Sequence, residues 1–190
     1  MSQAIFEAYW DEHRRVLEHL PALFPELGRV VQACVRALEQ GGKLMVCGNG
    51  GSAADAQHFA AELSGRYRRE RRPLAALALT TDSSALTCIG NDYAFEQVFA
   101  RQLEALARPG DVLFGISTSG RSKNVRAALE AAARLGVVRV GLTGGHAAAM
   151  RPLTDFCLAV PSASTARVQE MHVLLIHMIC EALDGWALGE

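Results

Sequence analysis

The feature of this sequence that most constrains its fold is a series of short, continuous apolar runs that alternate with helical stretches. Such runs lack the polar alternation of a strand with one solvent face, so they indicate strands buried on both faces of a parallel sheet. We therefore predict a doubly wound α/β fold of five strands. The five runs are Leu44–Cys47, Leu74–Leu79, Asp111–Ile116, Val137–Thr143 and Phe156–Val160.

Helical patterns flank this predicted flavodoxin-like sheet. Residues 1–40 predict a helical hairpin that is broken at Pro21 and Pro25, and a helix from about 166 to 186 closes the chain. The apolar stripes of the hairpin are wide, so we expect it to pack against another subunit, although it could instead cover only its own core. Because no internal repeat or linker is visible, residues 1–190 are predicted to form a single domain.

Charge and composition exclude several classes of protein. Half of the residues are hydrophobic and the formal net charge is -1, which argues against disorder and against nucleic acid as the main partner. One basic run, Arg66–Arg72, contains five arginines in seven residues. It could be a nucleic-acid patch, but a solvated loop between a helix and a strand is favoured, with Arg66 as a candidate phosphate contact.

The cysteines and the N-terminal segment predict a cytoplasmic protein. Five cysteines, an odd number without a CxxC pair, argue against a disulfide framework or a thiolate zinc site. Glu7, Asp11 and Glu12 interrupt any apolar stretch that could form a signal peptide. No apolar run approaches the roughly 20 residues of a membrane helix, so we expect no membrane partner.

Two loops lie at predicted strand ends, where open α/β sheets bind ligands. The first, Gly48–Ser52, is rich in glycine, and the second, Ser117–Ser122, is rich in hydroxyl groups. Both run into helices, whose free N-terminal amides attract anions. Neither loop matches the NTP-binding or dinucleotide-binding glycine pattern, so a small phosphorylated ligand is predicted.

The helix after the first loop carries Asp55, His58 and Glu62 on one face. A His-x-x-x-Glu pair can ligate a metal or transfer protons, and it can also be an ordinary exposed pair. The neighbouring residues are apolar, which predicts a mostly buried helix in which charged groups need partners or a function.

The last helix carries Gln169, His172 and His177 in an apolar surrounding. The two histidines are about 140° apart around the helix, and Gln169 and His177 are roughly 12 Å apart along it. To meet at one ion, Gln169 and His177 would need long side-chain reach, an irregular first turn or a second subunit. A core role is the default for His172.

Together these residues resemble the sugar isomerase (SIS) domain, and most closely the phosphoheptose isomerases. The resemblance covers essentially the whole chain. Each matching segment alone has modest specificity, but the set of segments in this order is highly specific. The matching segments are Gly48–His58 with Glu62, Thr80–Asp82, Ile89–Tyr93, Gly110–Val112, Ser117–Gly120 and Val168–His172.

The resemblance implies an aldose–ketose isomerase that converts sedoheptulose 7-phosphate to glycero-manno-heptose 7-phosphate through an enediol, the first step of ADP-heptose and lipopolysaccharide core synthesis. It implies Glu62 and His177 as the catalytic pair, and a cytoplasmic homotetramer with active sites near subunit contacts. It also implies one zinc ion per subunit on His58, Glu62, Gln169 and His177, with Asp55 supporting these ligands. The implied substrate-binding residues are Asn49, Gly50, Gly51, Ser52, Glu62, Asn91, Asp92, Ser117, Thr118, Ser119, Ser122 and Gln169.

Two non-catalytic alternatives remain open. A sister SIS family binds the bacterial replication initiator as an oligomeric scaffold, and it shares the segments found here at 58–61 and 169–172. In that family the positions of Glu62 and His177 are not kept as an acid–base pair, whereas both residues are present here, which favours the enzyme. A regulator that only senses a sugar phosphate would keep the two loops but would not need Glu62.

Overall fold

The computed structural model describes residues 2–190 as seven helices around a five-stranded sheet. The strands are β1 (Leu44–Gly48), β2 (Ala76–Ala78), β3 (Val112–Ser117), β4 (Val138–Thr143) and β5 (Phe156–Ala159). The helices are α1 (Ser2–His19), α2 (Phe24–Glu39), α3 (Gly51–Ser64), α4 (Ser83–Asp92), α5 (Ala100–Leu106), α6 (Lys123–Arg134) and α7 (Thr165–Leu188).

All strands are parallel, in the order β2-β1-β3-β4-β5, which confirms the predicted doubly wound fold. The side chains on both faces of the sheet are apolar, and helices cover both faces. Leu44 and Val46 of β1 face a core shared with α2, α3 and α7. Met45 and Cys47 face the second core, which is shared with α5 and α6.

The sequence predicted strand positions better than strand lengths. The second run, Leu74–Leu79, forms only the short strand β2, because the chain does not pair with β1 beyond Ala76–Ala78. Neither α4 nor α5, which lie in the crossover from β2 to β3, was predicted. Since α4 contains no buried residue, it carries no strong apolar stripe for sequence reasoning to find.

The N-terminal hairpin is present, and a buried polar group fixes α1 to α7. Arg167, which is fully buried, donates to the Tyr9 carbonyl oxygen at 2.8 Å and to Glu170 at 2.6 Å. Glu170 also accepts from Tyr9 Oη at 2.9 Å and lies 2.7 Å from His13 Nδ1. By contrast, the apolar side chains Ile5, Phe6 and Trp10 remain more than half exposed.

Although no continuous apolar run approaches the length of a membrane helix, α7 as a whole is long and apolar. By length and hydropathy it could cross a membrane, with an 18-residue window of mean hydropathy 1.3. It is instead a core helix here, with half of that window buried. It also buries the polar residues Arg167, His172 and Asp184, each with a hydrogen-bond partner inside the protein.

The five cysteines are all free thiols. Four of them are buried, and only Cys88 is exposed. Burial raises the pKa of the Cys47 thiol to about 12, so this side chain packs as a neutral apolar group.

Candidate active site

The two loops that are predicted to bind a phosphorylated ligand lie side by side at the point where the strand order reverses. β1 and β3 are neighbours in the sheet, with Gly48 opposite Ile116, and the chain continues from them toward opposite edges. Residues 48–52 and 117–122 therefore leave adjacent carboxyl ends. Such a switch point is where open α/β sheets form a ligand crevice.

Glycine is required in the first loop for two physical reasons. Gly50 has φ +56°, a conformation that residues with a side chain rarely adopt. A Cβ on Gly48 would lie 2.7 Å from the Ser52 carbonyl oxygen, so only glycine permits the tight return of the chain. The turn delivers the backbone directly into α3, and the Ser52 and Ala53 amides donate to the carbonyl oxygens of Asn49 and Gly50, each at 3.0 Å.

The second loop gathers hydroxyl groups in a similarly tight turn. Gly120 has φ +67°, and a Cβ there would lie 3.0 Å from Thr143 Oγ1. The Ser117 and Ser122 hydroxyls are 3.0 Å apart. Ser122 precedes α6 without capping it through its side chain, so its hydroxyl is not committed to the helix. These groups suit an anion that accepts several hydrogen bonds.

A pair of asparagines, of which the sequence indicated only one, joins the first loop to the start of α6, directly after the second loop. Asn49 Nδ2 donates to Asn124 Oδ1 and Asn124 Nδ2 donates to Asn49 Oδ1, both at 2.8 Å. Asn124 is buried in the first turn of α6. The Asn49 side chain, expected to bind substrate, is thus engaged within the protein. No local pattern could reveal this contact between residues 75 positions apart.

Three of the four expected metal ligands converge where α3 packs beside α7. His58 Nε2 lies 2.8 Å from His177 Nε2 and 3.7 Å from Glu62 Oε1. Their rings meet edge to face, with centroids 5.1 Å apart. The expectation of a mostly buried α3 is only half right, since the His58 side chain is 43% exposed and that of Glu62 is 21% exposed. The group is therefore open to a ligand from solvent.

Gln169 lies apart from this cluster and contacts Asp55 instead. Gln169 Nε2 donates to Asp55 Oδ1 at 3.2 Å, and a Cβ on Gly51 would lie 2.3 Å from the same Gln169 nitrogen. α7 is a regular helix from Thr165, so no irregular first turn shortens the distance to His177. Burial raises the pKa of Asp55, against the opposing effects of Gln169 and His58. Its second oxygen, Oδ2, is buried without a hydrogen-bond partner among the described residues.

Asn91 and Asp92 lie at the exposed end of α4. Asn91 donates to Asp92 at 2.8 Å, and the Cys88 thiol lies 3.5 Å from Asp92. Within residues 2–190, neither side chain has a hydrogen bond to the two loops.

His172 occupies the core, which agrees with the default sequence interpretation. It is fully buried, and its Nε2 lies 3.2 Å from the Thr143 carbonyl oxygen. Since a carbonyl only accepts, Nε2 carries the hydrogen. Burial lowers the pKa of His172 to about 4, so the ring is neutral at physiological pH.

The basic run is not the fully solvated loop that the sequence favoured, because several of its arginines pair with carboxylates of α7. Arg71 and Asp184 form an ion pair at 2.8 Å in which both side chains are 0% exposed. Arg68 and Arg69 contact Glu181 of α7. Sequence reasoning missed this because the acidic partners come from α7, more than 110 positions away. Within the run, Arg66 remains exposed, and among residues 2–190 it pairs only with the nearby Glu70.

The donor chemistry of the histidine–glutamate cluster fits a zinc ion, although its geometry is not that of a metal site. Imidazole nitrogens and a carboxylate are usual ligands of catalytic zinc. On a tetrahedral zinc ion two imidazole nitrogens lie about 3.3 Å apart, so the 2.8 Å contact is a hydrogen bond between rings. Accordingly, among the described residues no group of three His, Cys, Asp or Glu side chains is arranged as a metal centre.

Comparison with known proteins defines the class first. The SIS domain family model matches residues 8–144. The chain is 53% identical over 180 residues to phosphoheptose isomerase 1 of Campylobacter jejuni, covering 95% of this chain and 97% of that protein. The chain therefore belongs to the SIS-domain family and, within it, to the phosphoheptose isomerases.

Solved structures agree with that assignment. Phosphoheptose isomerase GmhA from Neisseria gonorrhoeae is 44% identical with a TM-score of 0.92, covering 97% of this chain and all of that one. A phosphoheptose isomerase from Francisella tularensis is 39% identical with a TM-score of 0.94, covering 97% of this chain and 98% of that one. This chain is accordingly an isomerase.

Proposed function

We propose that the chain interconverts sedoheptulose 7-phosphate and glycero-manno-heptose 7-phosphate. One observation carries the proposal: Glu62 Oε1 and His177 Nε2 converge on His58 Nε2 where α3 packs beside α7. An aldose–ketose isomerase needs one group for a carbon-bound proton and another for protons on oxygen, and this pair provides both.

The phosphate is held away from the reacting carbons by the two loops. The positive dipole end of α3 and the hydroxyls of Ser117, Thr118, Ser119 and Ser122 attract an anion without a cluster of basic residues. Binding energy gained at the phosphate orients the sugar chain toward Glu62 and His177.

The chain's own residues account for the proton transfers. The Glu62 carboxylate removes a proton from the carbon next to the carbonyl while His177 donates one to the carbonyl oxygen, which gives an enediol. Glu62 then returns its proton to the neighbouring carbon, and His177 recovers a proton from the other oxygen. The product is the isomeric carbonyl compound, with atoms and charge balanced.

His58, Glu62 and His177 would hold a zinc ion, with Gln169 as the fourth ligand expected from the family. When bound, zinc polarises the substrate carbonyl. Asp55 would act on this site through Gln169, whose amide it orients by the 3.2 Å hydrogen bond.

Glu62→Gln tests the function because it keeps the size of the side chain and removes the base. We expect turnover of sedoheptulose 7-phosphate, measured with zinc present, to fall by about 10²–10⁴-fold with folding and assembly unchanged. Glu104→Gln, at an exposed glutamate of α5, is the matched control and should retain full activity.

The initiator-binding scaffold is the alternative that the same experiment addresses. Absence of turnover by the zinc-loaded wild-type protein, together with tight binding to a replication initiator, would replace the isomerase proposal. Retained zinc-dependent turnover excludes the scaffold as the sole function.

We also propose a cytoplasmic homotetramer that feeds ADP-heptose and lipopolysaccharide core synthesis. The exposed apolar residues of α1, between 52% and 68% exposed at Ile5, Phe6, Tyr9 and Trp10, support burial against another copy. Light scattering should give four times the 20.4 kDa chain mass.

A further inference from the structure

The arginine-rich segment has a position that the proton-transfer scheme does not use. Residues 65–72, here called the strap, leave α3 just after Glu62 and cross α7 before β2 begins. The strap thus connects the helix that carries Glu62 to the helix that carries His177.

Arg71 anchors the strap to both helices. Its guanidinium donates to the carbonyl oxygens of Glu62 at 2.7 Å and Leu63 at 2.9 Å, at the C-terminal end of α3. Its Nε donates to Asp184 of α7 at 2.8 Å. Because the guanidinium is planar, these bonds fix the last turn of α3 relative to α7 in one arrangement.

The backbone of the strap is attached to the same carboxylate. The amides of Arg68 and Arg69 both donate to Asp184 Oδ2 at 3.1 Å. Asp184 therefore binds the strap at three points, and it holds the preceding residue, Tyr67, over α7.

Tyr67 stacks on the ring of His177. The two rings have centroids 5.3 Å apart and an interplanar angle of 29°. His58 meets the same imidazole edge to face. Tyr67 Oη makes no hydrogen bond within residues 2–190, so the ring alone makes the contact. An imidazole held between two rings has few orientations available.

We propose that Tyr67 is a positioning residue, held by the Arg71–Asp184 anchor, that fixes the His177 ring for proton transfer. This rests on the proposed isomerase function. Tyr67 acts through His177 and away from the phosphate loops, so its loss affects the chemical step more than substrate binding.

The test compares Tyr67→Leu, which removes the ring, with Tyr67→Phe, which keeps it. In Tyr67→Leu we expect kcat for sedoheptulose 7-phosphate to fall roughly 10–100-fold while KM changes by less than about threefold. Tyr67→Phe should restore kcat to near the wild-type value. Thermal unfolding and light scattering should match wild type in both variants.

A second readout needs no turnover. The Tyr67 ring should shift the His177 ring protons upfield in NMR spectra, with the assignment made by comparison with His177→Gln. The shift should persist in Tyr67→Phe and disappear in Tyr67→Leu.

The outcomes separate the two proposals. If the wild type turns over the substrate and Tyr67→Leu is equally active, the positioning role is overturned and the isomerase proposal stands. A Tyr67→Phe variant as impaired as Tyr67→Leu also overturns it. If the zinc-loaded wild type does not turn over the substrate, the proposed function is overturned. The contact of Tyr67 with His177 then has no catalytic role, whatever the NMR shift is.

Discussion

Removing the negative charge of the buried anchor should destabilise the protein strongly. In Asp184→Asn the guanidinium of Arg71 stays buried without a counter-charge. Breaking a buried pair by removing one partner costs about 3–5 kcal/mol. Arg71 keeps its bonds to the α3 carbonyls, but the strap amides lose a charged acceptor, so we expect about 4 kcal/mol. For a chain of this size that corresponds to a fall in Tm of roughly 10 °C.

The measurement is thermal unfolding followed by circular dichroism at one fixed protein concentration, since assembly makes Tm depend on concentration. Glu104→Gln is the control, because its partner Arg134 and Glu104 itself are 65% and 45% exposed. Such an exposed pair contributes about 0–1 kcal/mol.

A double-mutant cycle shows whether the effect belongs to the pair. Asp184→Asn should cost much less in an Arg71→Met background, because no unpaired cation then remains. A coupling energy below about 0.5 kcal/mol, or an Asp184→Asn shift no larger than that of Glu104→Gln, would refute the reasoning.

Two further predictions concern the core and the crevice. Burial lowers the pKa of His172 to about 4. Between this value and the unfolded pKa of about 6.5, the unfolded state binds a proton at His172 that the native state does not bind. Stability should therefore fall as pH drops from about 6.5 to about 4, by roughly 3 kcal/mol from this residue. Urea unfolding of wild type and His172→Leu across this range should show a weaker pH dependence in the variant. Asn124→Ala removes the partner of Asn49 and should raise KM about tenfold with a smaller effect on kcat, because a loose phosphate loop weakens binding. Steady-state kinetics test this, and an unchanged KM would contradict it.

An acid-unfolding experiment also tests the anchor. Burial alone would raise the pKa of Asp184, but the strap amides and Arg71 outweigh it and the pKa is lowered. Its contribution to stability is therefore present above the unfolded pKa of about 3.9 and is lost as pH falls through the folded value. Asp184→Asn should lack this part of the acid transition.

The sequence predicted those features of the fold and the site that local residue patterns determine. Strands buried on both faces must be apolar, so β1, β3, β4 and β5 were visible as runs, and His58 and Glu62 share a helix face by spacing alone. α4 was missed because none of its residues is fully buried and only Leu86 and Ile89 pack partly against the core, so it needs no strong apolar stripe.

The remaining parts of the site depend on tertiary contacts. Arg71 looked like a solvated residue in a basic run, and only Asp184, 113 positions away, makes its burial possible. The contacts of Asn49 with Asn124 and of His58 with His177 likewise span 75 and 119 positions. No spacing rule within one helix or loop can predict them.

The adjacency of β1 and β3 has a consequence for how the crevice forms during folding. The two loops come from strands that pair only after a chain segment of more than 60 residues has been closed into a loop, at a substantial entropic cost. A partly folded chain therefore has two separate loops and no anion site. Ligand binding should then stabilise only the fully folded chain, so that a phosphorylated ligand at 100 times its Kd would slow global unfolding and add about 2.7 kcal/mol to the folding equilibrium.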